Sequence, residues 1–379
     1  MIMDYDTLRV VWWLFLGLLL IGFAITDGFD LGVAVLLPFL GRDDEQRRVL
    51  LNAVGPTWEG NQVWFVTGGG ALFAAWPLAY ATAFSGFYFA LLLTLFALFF
   101  RPIGFDYRSK LQNPHWHSAW DWGLFIGGFV PALVFGVAFG NLLQGVPFYF
   151  DEDMRSYYLG TLLGMLNPFA LLAGLISLAM LVLQGAVFLQ MKTEGVLQQR
   201  SKRAVFIAGV SALVGFALAG IWITKIPGYH ISSDIVANAV SNPLTKTVIR
   251  ESGLWLDNYD HYPALWLLPV LTFVSGGLAL WLLRIDRPGT AFIFSSLVLA
   301  GIILTAGCSM FPFLIPSSIS TASSLTVWDA SSSYATLHVM FWVTLFFLPI
   351  VVAYTSWVYR VLRGKVTVEH IRNNDHTSY

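Results

Sequence analysis

Charged residues are scarce in this sequence. They make up 11% of its 379 residues, whereas an ordinary soluble domain carries about 25%. The 21 Lys and Arg residues are balanced by 22 Asp and Glu, which gives a net charge of −1. Because the chain has no basic excess to hold phosphates, we expect no nucleic-acid partner. The single cysteine, Cys308, excludes an internal disulfide and a cysteine-based metal cluster.

The sequence also lacks the motifs of self-contained catalysis. It contains no HExxH, Cys-x-x-Cys, P-loop or GxSxG pattern. Only one of its seven histidines, His338, falls within a predicted membrane span. Haem iron needs an axial His, Met or Cys inside a pocket, and a lone histidine is more often a packing residue than a ligand. We therefore predict no metal site in this chain.

Apolar residues are abundant instead, at 57% of the chain. A membrane helix needs about 20 mostly apolar residues, and nine such stretches occur. We predict an all-α polytopic membrane protein with nine transmembrane helices. The stretches lie near Val10–Leu37, Thr57–Trp76, Ala81–Phe100, Trp122–Leu143, Leu162–Phe188, Ala204–Ile226, Pro263–Leu283, Ala291–Leu314 and Ala335–Val358.

Arg and Lys are concentrated in alternate connections between these stretches. By the positive-inside rule, this alternation predicts a periplasmic N-terminus and a cytoplasmic C-terminus, which an odd number of spans allows. The connections are too short for a soluble domain, so residues 1–379 are predicted to form a single membrane domain. We expect two four-helix bundles plus one peripheral helix, at about 8–145, about 160–315 and about 335–360.

Three acidic residues fall within predicted spans. Asp27 and Asp30 are three residues apart and so share one helix face, while Glu59 begins the second span. If the paths from Arg42 and Arg48 are helical, Asp30 and Glu59 lie ~18 Å and ~16 Å from the membrane surface. That depth is about halfway across a ~30 Å hydrocarbon core.

A carboxyl group at this depth is costly, by ~2.5–3.5 kcal/mol, and it can exchange a proton near neutral pH. Asp27, Asp30 and Glu59 are therefore candidates for a proton path. For Asp27 an equally open alternative is that it starts a turn at the membrane interface. Arg101, at the end of the third span, could neutralise Glu59, Asp30 or an acid of a partner. The favoured interpretation is that Arg101 extends to the membrane surface.

Polar and aromatic residues surround Glu59 in the sequence Trp58-Glu-Gly-Asn-Gln-Val-Trp64. Asn61 and Gln62 could hold water or a ligand headgroup. Trp58 and Trp64 are candidates for lining a ligand groove or a gas path, with plain packing as the alternative.

Motifs along nearly the whole chain match one family in their order and spacing. They include Asp27-Gly-Phe-Asp30, Trp58-Glu-Gly-Asn-Gln-Val-Trp64, Phe100-Arg-Pro, Gly104-Phe-Asp-Tyr-Arg108 and Ser324-Leu-Thr-Val-Trp-Asp-Ala-Ser331. With these motifs the sequence resembles subunit II of the bacterial cytochrome bd quinol oxidase.

The resemblance implies a complex of the bacterial inner membrane that oxidises quinol and reduces dioxygen to water, generating a proton-motive force without pumping. Haem b and haem d would be bound by the similarly folded subunit I, and a small single-span accessory subunit is expected. The carboxylates matching Asp30 and Glu59 would lie on a cytoplasmic proton path, and the tryptophan matching Trp64 on an oxygen-access tunnel. A quinone can be a structural ligand of subunit II. Some members have Asp at the position of Glu59.

Two other classes of function stay open. A proton-coupled secondary transporter would also have intramembrane acids and spans broken by Gly and Pro, although the odd number of spans and the lack of a clear repeat disfavour it. A structural scaffold for an electron-transfer partner would tolerate neutral substitution of every intramembrane acid.

Overall fold

The computed structural model describes residues 3–373, and most of the regular structure in that range is helical. In chain order the helices are α1 (Tyr5–Ile25), α2 (Asp27–Leu40), α3 (Asp44–Val54), α4 (Trp58–Ala75), α5 (Pro77–Gly86), α6 (Tyr88–Leu98), α7 (Phe100–Tyr107), α8 (Pro114–Gln144), α9 (Pro168–Lys192), α10 (Gly195–Ile223), α11 (Asp257–His261), α12 (Leu267–Arg284), α13 (Pro288–Met310), α14 (Tyr334–Val361) and α15 (Val368–Asn373).

Within residues 3–373, eight helices are long and apolar enough to cross a membrane, or nine if α4 and α5 form one bent span. Each of the nine predicted spans overlaps one of them, which confirms the all-α polytopic membrane fold. The chain bends by 120° between α4 and α5, because Trp76 precedes a proline and takes a non-helical conformation. Which side of the membrane each end faces stays a prediction.

Short β-hairpins occupy three of the connections, and each pairs its two strands antiparallel. Together with the N-terminal turn of α1 they form a cap at one end of the bundle. The strands are β1 (Phe148–Phe150) with β2 (Ser156–Tyr158), β3 (Pro227–Ile231) with β4 (Val248–Ser252), and β5 (Phe313–Ile315) with β6 (Leu325–Thr326).

Two buried cations hold this cap together. Arg9 donates hydrogen bonds to Ser331 Oγ at 2.7 Å and to Ser241 Oγ at 3.1 Å. Lys246 Nζ lies 2.9 Å from an Asp329 carboxylate oxygen. Burial lowers the pKa of Lys246, and the Asp329 carboxylate opposes that shift. The cap therefore connects α1 with the segments that precede α11 and α14.

The centre of the bundle is packed through glycines on α2, α8 and α9. A Cβ atom on Gly32 would lie 2.1 Å from the carbonyl oxygen of Leu181, and one on Gly128 would lie 2.6 Å from that of Leu31. Small residues let membrane helices approach this closely. The largest buried apolar cluster begins at Phe23 and contains residues from both predicted bundles. The division of the chain into two bundles therefore stays a prediction.

The first span is broken at Thr26, which separates α1 from α2. The Thr26 hydroxyl donates to the Gly22 carbonyl at 2.7 Å, and the Gln184 amide reaches the Ile25 carbonyl at 3.4 Å. After the break, α2 continues to Leu40, and Asp27 in its first turn is buried. The alternative in which Asp27 starts a turn at the interface is therefore wrong.

At the other end of the bundle, which we call the basic end, the connections carry Arg and Lys. Here α3 and α4 are separated by a turn at residues 55–57, so the assumed helical path from Arg48 to Glu59 is wrong.

A buried ionic cluster at the basic end joins α3, α8 and the end of α7. Asp121 accepts from Arg108 Nε and from Arg47 Nη1, both at 2.6 Å. Asp44 lies 2.9 Å from Arg108 Nη2.

Candidate proton-transfer site

Asp27 and Arg101 form a buried ion pair inside the bundle. The guanidinium group donates two hydrogen bonds to the carboxylate, at 2.6 Å and 3.1 Å, and the side chains are 2% and 3% exposed. The prediction that Arg101 extends to the membrane surface is therefore wrong, and its partner is neither Glu59 nor Asp30. Removing one member of such a pair typically costs ~3–5 kcal/mol, because the other charge stays buried.

Asp30 lies one helical turn further along α2 and is also buried. Its Oδ2 accepts a hydrogen bond from the Asn61 side-chain amide at 2.8 Å. The Asn61 side-chain carbonyl in turn accepts from the Tyr359 hydroxyl on α14. The other carboxyl oxygen of Asp30, Oδ1, is buried and has no partner among the described residues. One turn of α2 thus carries two acids for a single buried cation.

Tyr359 is the member of this site that the sequence pattern did not predict. It lies in an apolar run near two other aromatic residues of α14, Tyr354 and Trp357. Of these three, only Tyr359 contacts Asn61, because only its ring points to the bundle. Nothing in the spacing distinguishes it.

Glu59 does not join the two buried acids. It lies in the first turn of α4, two residues before Asn61, so it starts at a similar level along the bundle as Asp30. Its side chain is nevertheless exposed, in a stripe that continues through Val63, Val66 and Phe73. Within residues 3–373 no hydrogen bond connects Glu59 to Asp30. The predicted pair of adjacent acids is therefore one buried and one surface carboxyl.

Comparison with known proteins identifies the family. A family model described as "Cytochrome bd terminal oxidase subunit II" matches residues 8–362. Cytochrome bd-I ubiquinol oxidase subunit 2 of Escherichia coli is 54% identical over 377 residues, covering 99% of this chain and 100% of the relative. The chain belongs to the cytochrome bd terminal oxidase subunit II family.

A more distant relative of the subunit II family and a solved structure also match over most of their length. Cytochrome bd ubiquinol oxidase subunit 2 of Bacillus subtilis is 32% identical over 364 residues, covering 95% of this chain and 97% of that one. A chain of the bd oxidase structure from Geobacillus thermodenitrificans superposes with a TM-score of 0.68, covering 94% of this chain and 98% of that chain. At 16% identity this last match shows the fold alone.

Two cavities lie near the buried acids of this family member. The first, of about 340 Å³, is apolar and lies among α1, α8, α9, α10 and α13. The second, of about 580 Å³, has Trp64 in its wall. Trp58, Asn61 and Gln62, the predicted ligand groove, line neither cavity. Trp58 instead stacks on Phe105 at 5.3 Å, beneath Arg101.

Side chains that could bind a metal ion are not clustered in the described part of this subunit II. Across residues 3–373 no group of three or more His, Cys, Asp or Glu side chains could hold a metal ion. The wall of the first cavity contains no histidine, and Met180 is its only sulfur side chain. His338 accepts a hydrogen bond at Nε2 from Trp342 at 3.2 Å and stacks on Tyr334.

Proposed function

We propose that this chain is the non-haem subunit of a bacterial inner-membrane complex that oxidises quinol, reduces dioxygen to water and generates a proton-motive force. Its relatives are named as ubiquinol oxidase subunits. In this proposal haem b and haem d belong to the partner subunit I, and a small single-span accessory subunit completes the complex. The N-terminus is periplasmic and the basic end is cytoplasmic.

The proposal that this subunit also conducts protons rests on the surroundings of Asp30. Asp27 and Arg101 neutralise each other, so an ionised Asp30 leaves the buried site with one negative charge. A proton on Asp30 removes that charge, and a buried charge without a partner is costly. The unpartnered Oδ1 atom is the place for that proton, since Asn61 already occupies Oδ2.

Each residue of the site then has a separate task. The ion pair of Arg101 and Asp27 holds α2 against the third span, while Asn61 and Tyr359 orient the Asp30 carboxyl. Asp30 receives a proton at Oδ1 from water entering at the basic end and releases it toward Glu59. Since no hydrogen bond joins Asp30 to Glu59 in residues 3–373, this last transfer needs an intervening water.

The exposed stripe of α4 supports a place for the haem-bearing partner. Val66 is 67% exposed and Phe73 is 59% exposed, and a continuous apolar face on a membrane protein faces either lipid or another protein. We assign it to the partner because Glu59 lies in the same stripe and a carboxyl facing lipid is costly. By covering this face, the chain stabilises the haem-bearing subunit.

Access for dioxygen and a structural quinone belong to the same proposal. Trp64 borders the second cavity, whose wall is mostly apolar and suits a small apolar gas. The first cavity has the apolar wall that part of a prenyl chain requires. Neither assignment depends on proton transfer at Asp30.

Neutral variants of the two acids test the proton path. In the assembled complex, we expect Asp30→Asn to lower oxygen consumption and proton uptake by about tenfold or more, and Glu59→Gln to lower both less. Haem content is measured in parallel, and Asp286→Asn at the exposed ion pair with Lys202 is the matched control. Wild-type turnover in both variants with full haem content would sink the proton path and favour a purely structural role.

A further inference from the structure

The second cavity connects the basic end with the middle of the bundle. Its inner part lies beside Thr26 and Trp64, and its mouth lies beside Lys192 and Arg363. The helix α14 packs mainly on α1 and α4, so the cavity lies between α14 and the pair α9 and α13. At about 580 Å³, it falls within the ~300–1,000 Å³ of ordinary ligand sites.

Aromatic rings form most of the inner wall. Phe29 and Phe188 stack with their centroids 3.9 Å apart, and Phe292 packs against Phe188 at 6.2 Å. Tyr359 contacts the edge of Phe29 at 6.3 Å. This wall offers hydrocarbon contact over its length and few groups that could bind a polar ligand.

The mouth has two cationic side chains, and one of them, Lys192, is held in place by hydrogen bonds to the segment after α14. Lys192 Nζ donates to the Leu362 carbonyl at 2.5 Å, and the Lys192 carbonyl accepts from Val366 N at 2.8 Å. An ammonium group has three donors, so Lys192 keeps two for a ligand. Arg363 is exposed at the same opening, and the cavity wall contains no acidic residue to neutralise either cation.

We propose that this cavity binds one acyl chain of an anionic phospholipid, with the lipid phosphate held by Lys192 and Arg363. The aromatic wall suits the chain, and the two cations suit the phosphate, as expected for a basic pocket between membrane helices at the cytoplasmic surface. A quinone would leave both cations without a counter-charge, and a free anion would leave the apolar wall unused. Because dioxygen dissolves readily in hydrocarbon, this occupant is compatible with oxygen access along Trp64.

Photolabelling of the intact complex tests this site. The complex is placed in phosphatidylcholine nanodiscs containing a little phosphatidylglycerol with a diazirine on one acyl chain, and the labelled peptides are mapped by mass spectrometry. We expect labels near Phe292 on α13 and Val352 on α14. The double variant Lys192→Gln with Arg363→Gln should reduce this labelling by about tenfold.

Arg203→Gln is the matched control, since Arg203 is an exposed basic residue on α10 outside the cavity wall. Its labelling should equal that of the wild type. Haem content and melting temperature of the double variant show whether the complex is intact. Equal labelling by diazirine-phosphatidylcholine, unchanged labelling in the double variant, or displacement of the label by a quinone analogue would overturn the proposal. None of these results depends on turnover, so they are independent of the Asp30 test.

Discussion

Two ionic clusters in this chain surround their buried carboxyl groups differently. Inside the bundle, Asp27 and Asp30 accompany one guanidinium group, and one carboxyl oxygen has no partner in the described residues. At the basic end, the buried Asp121 lies between two guanidinium groups, and both of its oxygens accept hydrogen bonds. The charge of a carboxylate between two cations is fully compensated, whereas a second carboxylate beside one cation adds an uncompensated buried charge. We propose that this difference separates a structural clamp from the proposed proton-transfer site.

The largest effect is expected when the clamp is broken. Asp121→Asn leaves the buried Arg108 with only the partly exposed Asp44 as a counter-charge, which should lower the free energy of unfolding by about 3 kcal/mol, at the low end of the cost of breaking a buried pair. Thermal denaturation of the assembled complex measures this loss. The control Asp286→Asn, at an aspartate that is 84% exposed, should change stability by less than about 0.5 kcal/mol. Equal melting temperatures for both variants would refute the assignment of Asp121 as a clamp.

A smaller effect is expected at the edge of the other cluster. Tyr359→Phe removes the hydroxyl that donates to Asn61, a loss of about 1 kcal/mol. If the whole of that loss is felt at Asp30, oxygen turnover should fall by about fivefold. Tyr354→Phe, at a tyrosine that is 64% exposed on the same helix, is the matched control. A drop of equal size in both variants would show that α14 responds as a whole and would remove Tyr359 from the site.

The smallest effect belongs to an exposed pair that contrasts with both clusters. Arg372 donates to the Glu45 carboxylate at 2.8 Å and 2.9 Å and lowers the pKa of Glu45. The pKa of Glu45 is therefore lower in the folded state than in the unfolded state. The ion pair stabilises the packing of α15 on α3 at pH values above the unfolded-state pKa, and this stabilisation is lost as pH falls through the folded-state pKa. The protection factors for amide hydrogen exchange in α15 should fall over that acidic range and with added salt. Protection factors that are independent of both would mean that packing alone holds α15.

The sequence was sufficient to predict the spans and the burial of Asp30, because a charge inside an apolar run stands out, but it left the burial of Asp27 open. It could not predict that Asp27 pairs with Arg101, since the two lie 74 residues apart and periodicity reports only the face within one helix. The direction of Glu59 was missed for another reason. Both faces of a membrane helix are apolar, so the pattern of α4 does not tell its interior side from its outer side. Tyr359 was missed on α14 for the same reason.

The weak embedding of α14 has a consequence for the buried acid site. Only 6% of its apolar window is buried within the chain, yet Tyr359 on this helix completes the hydrogen bonds around Asp30. Because α14 contacts the bundle mainly through α1 and α4, a change in the packing of this one helix reaches Asp30 through Asn61. We therefore expect substitutions on the α1 and α4 faces that hold α14 to alter the acid site without touching the carboxyl itself.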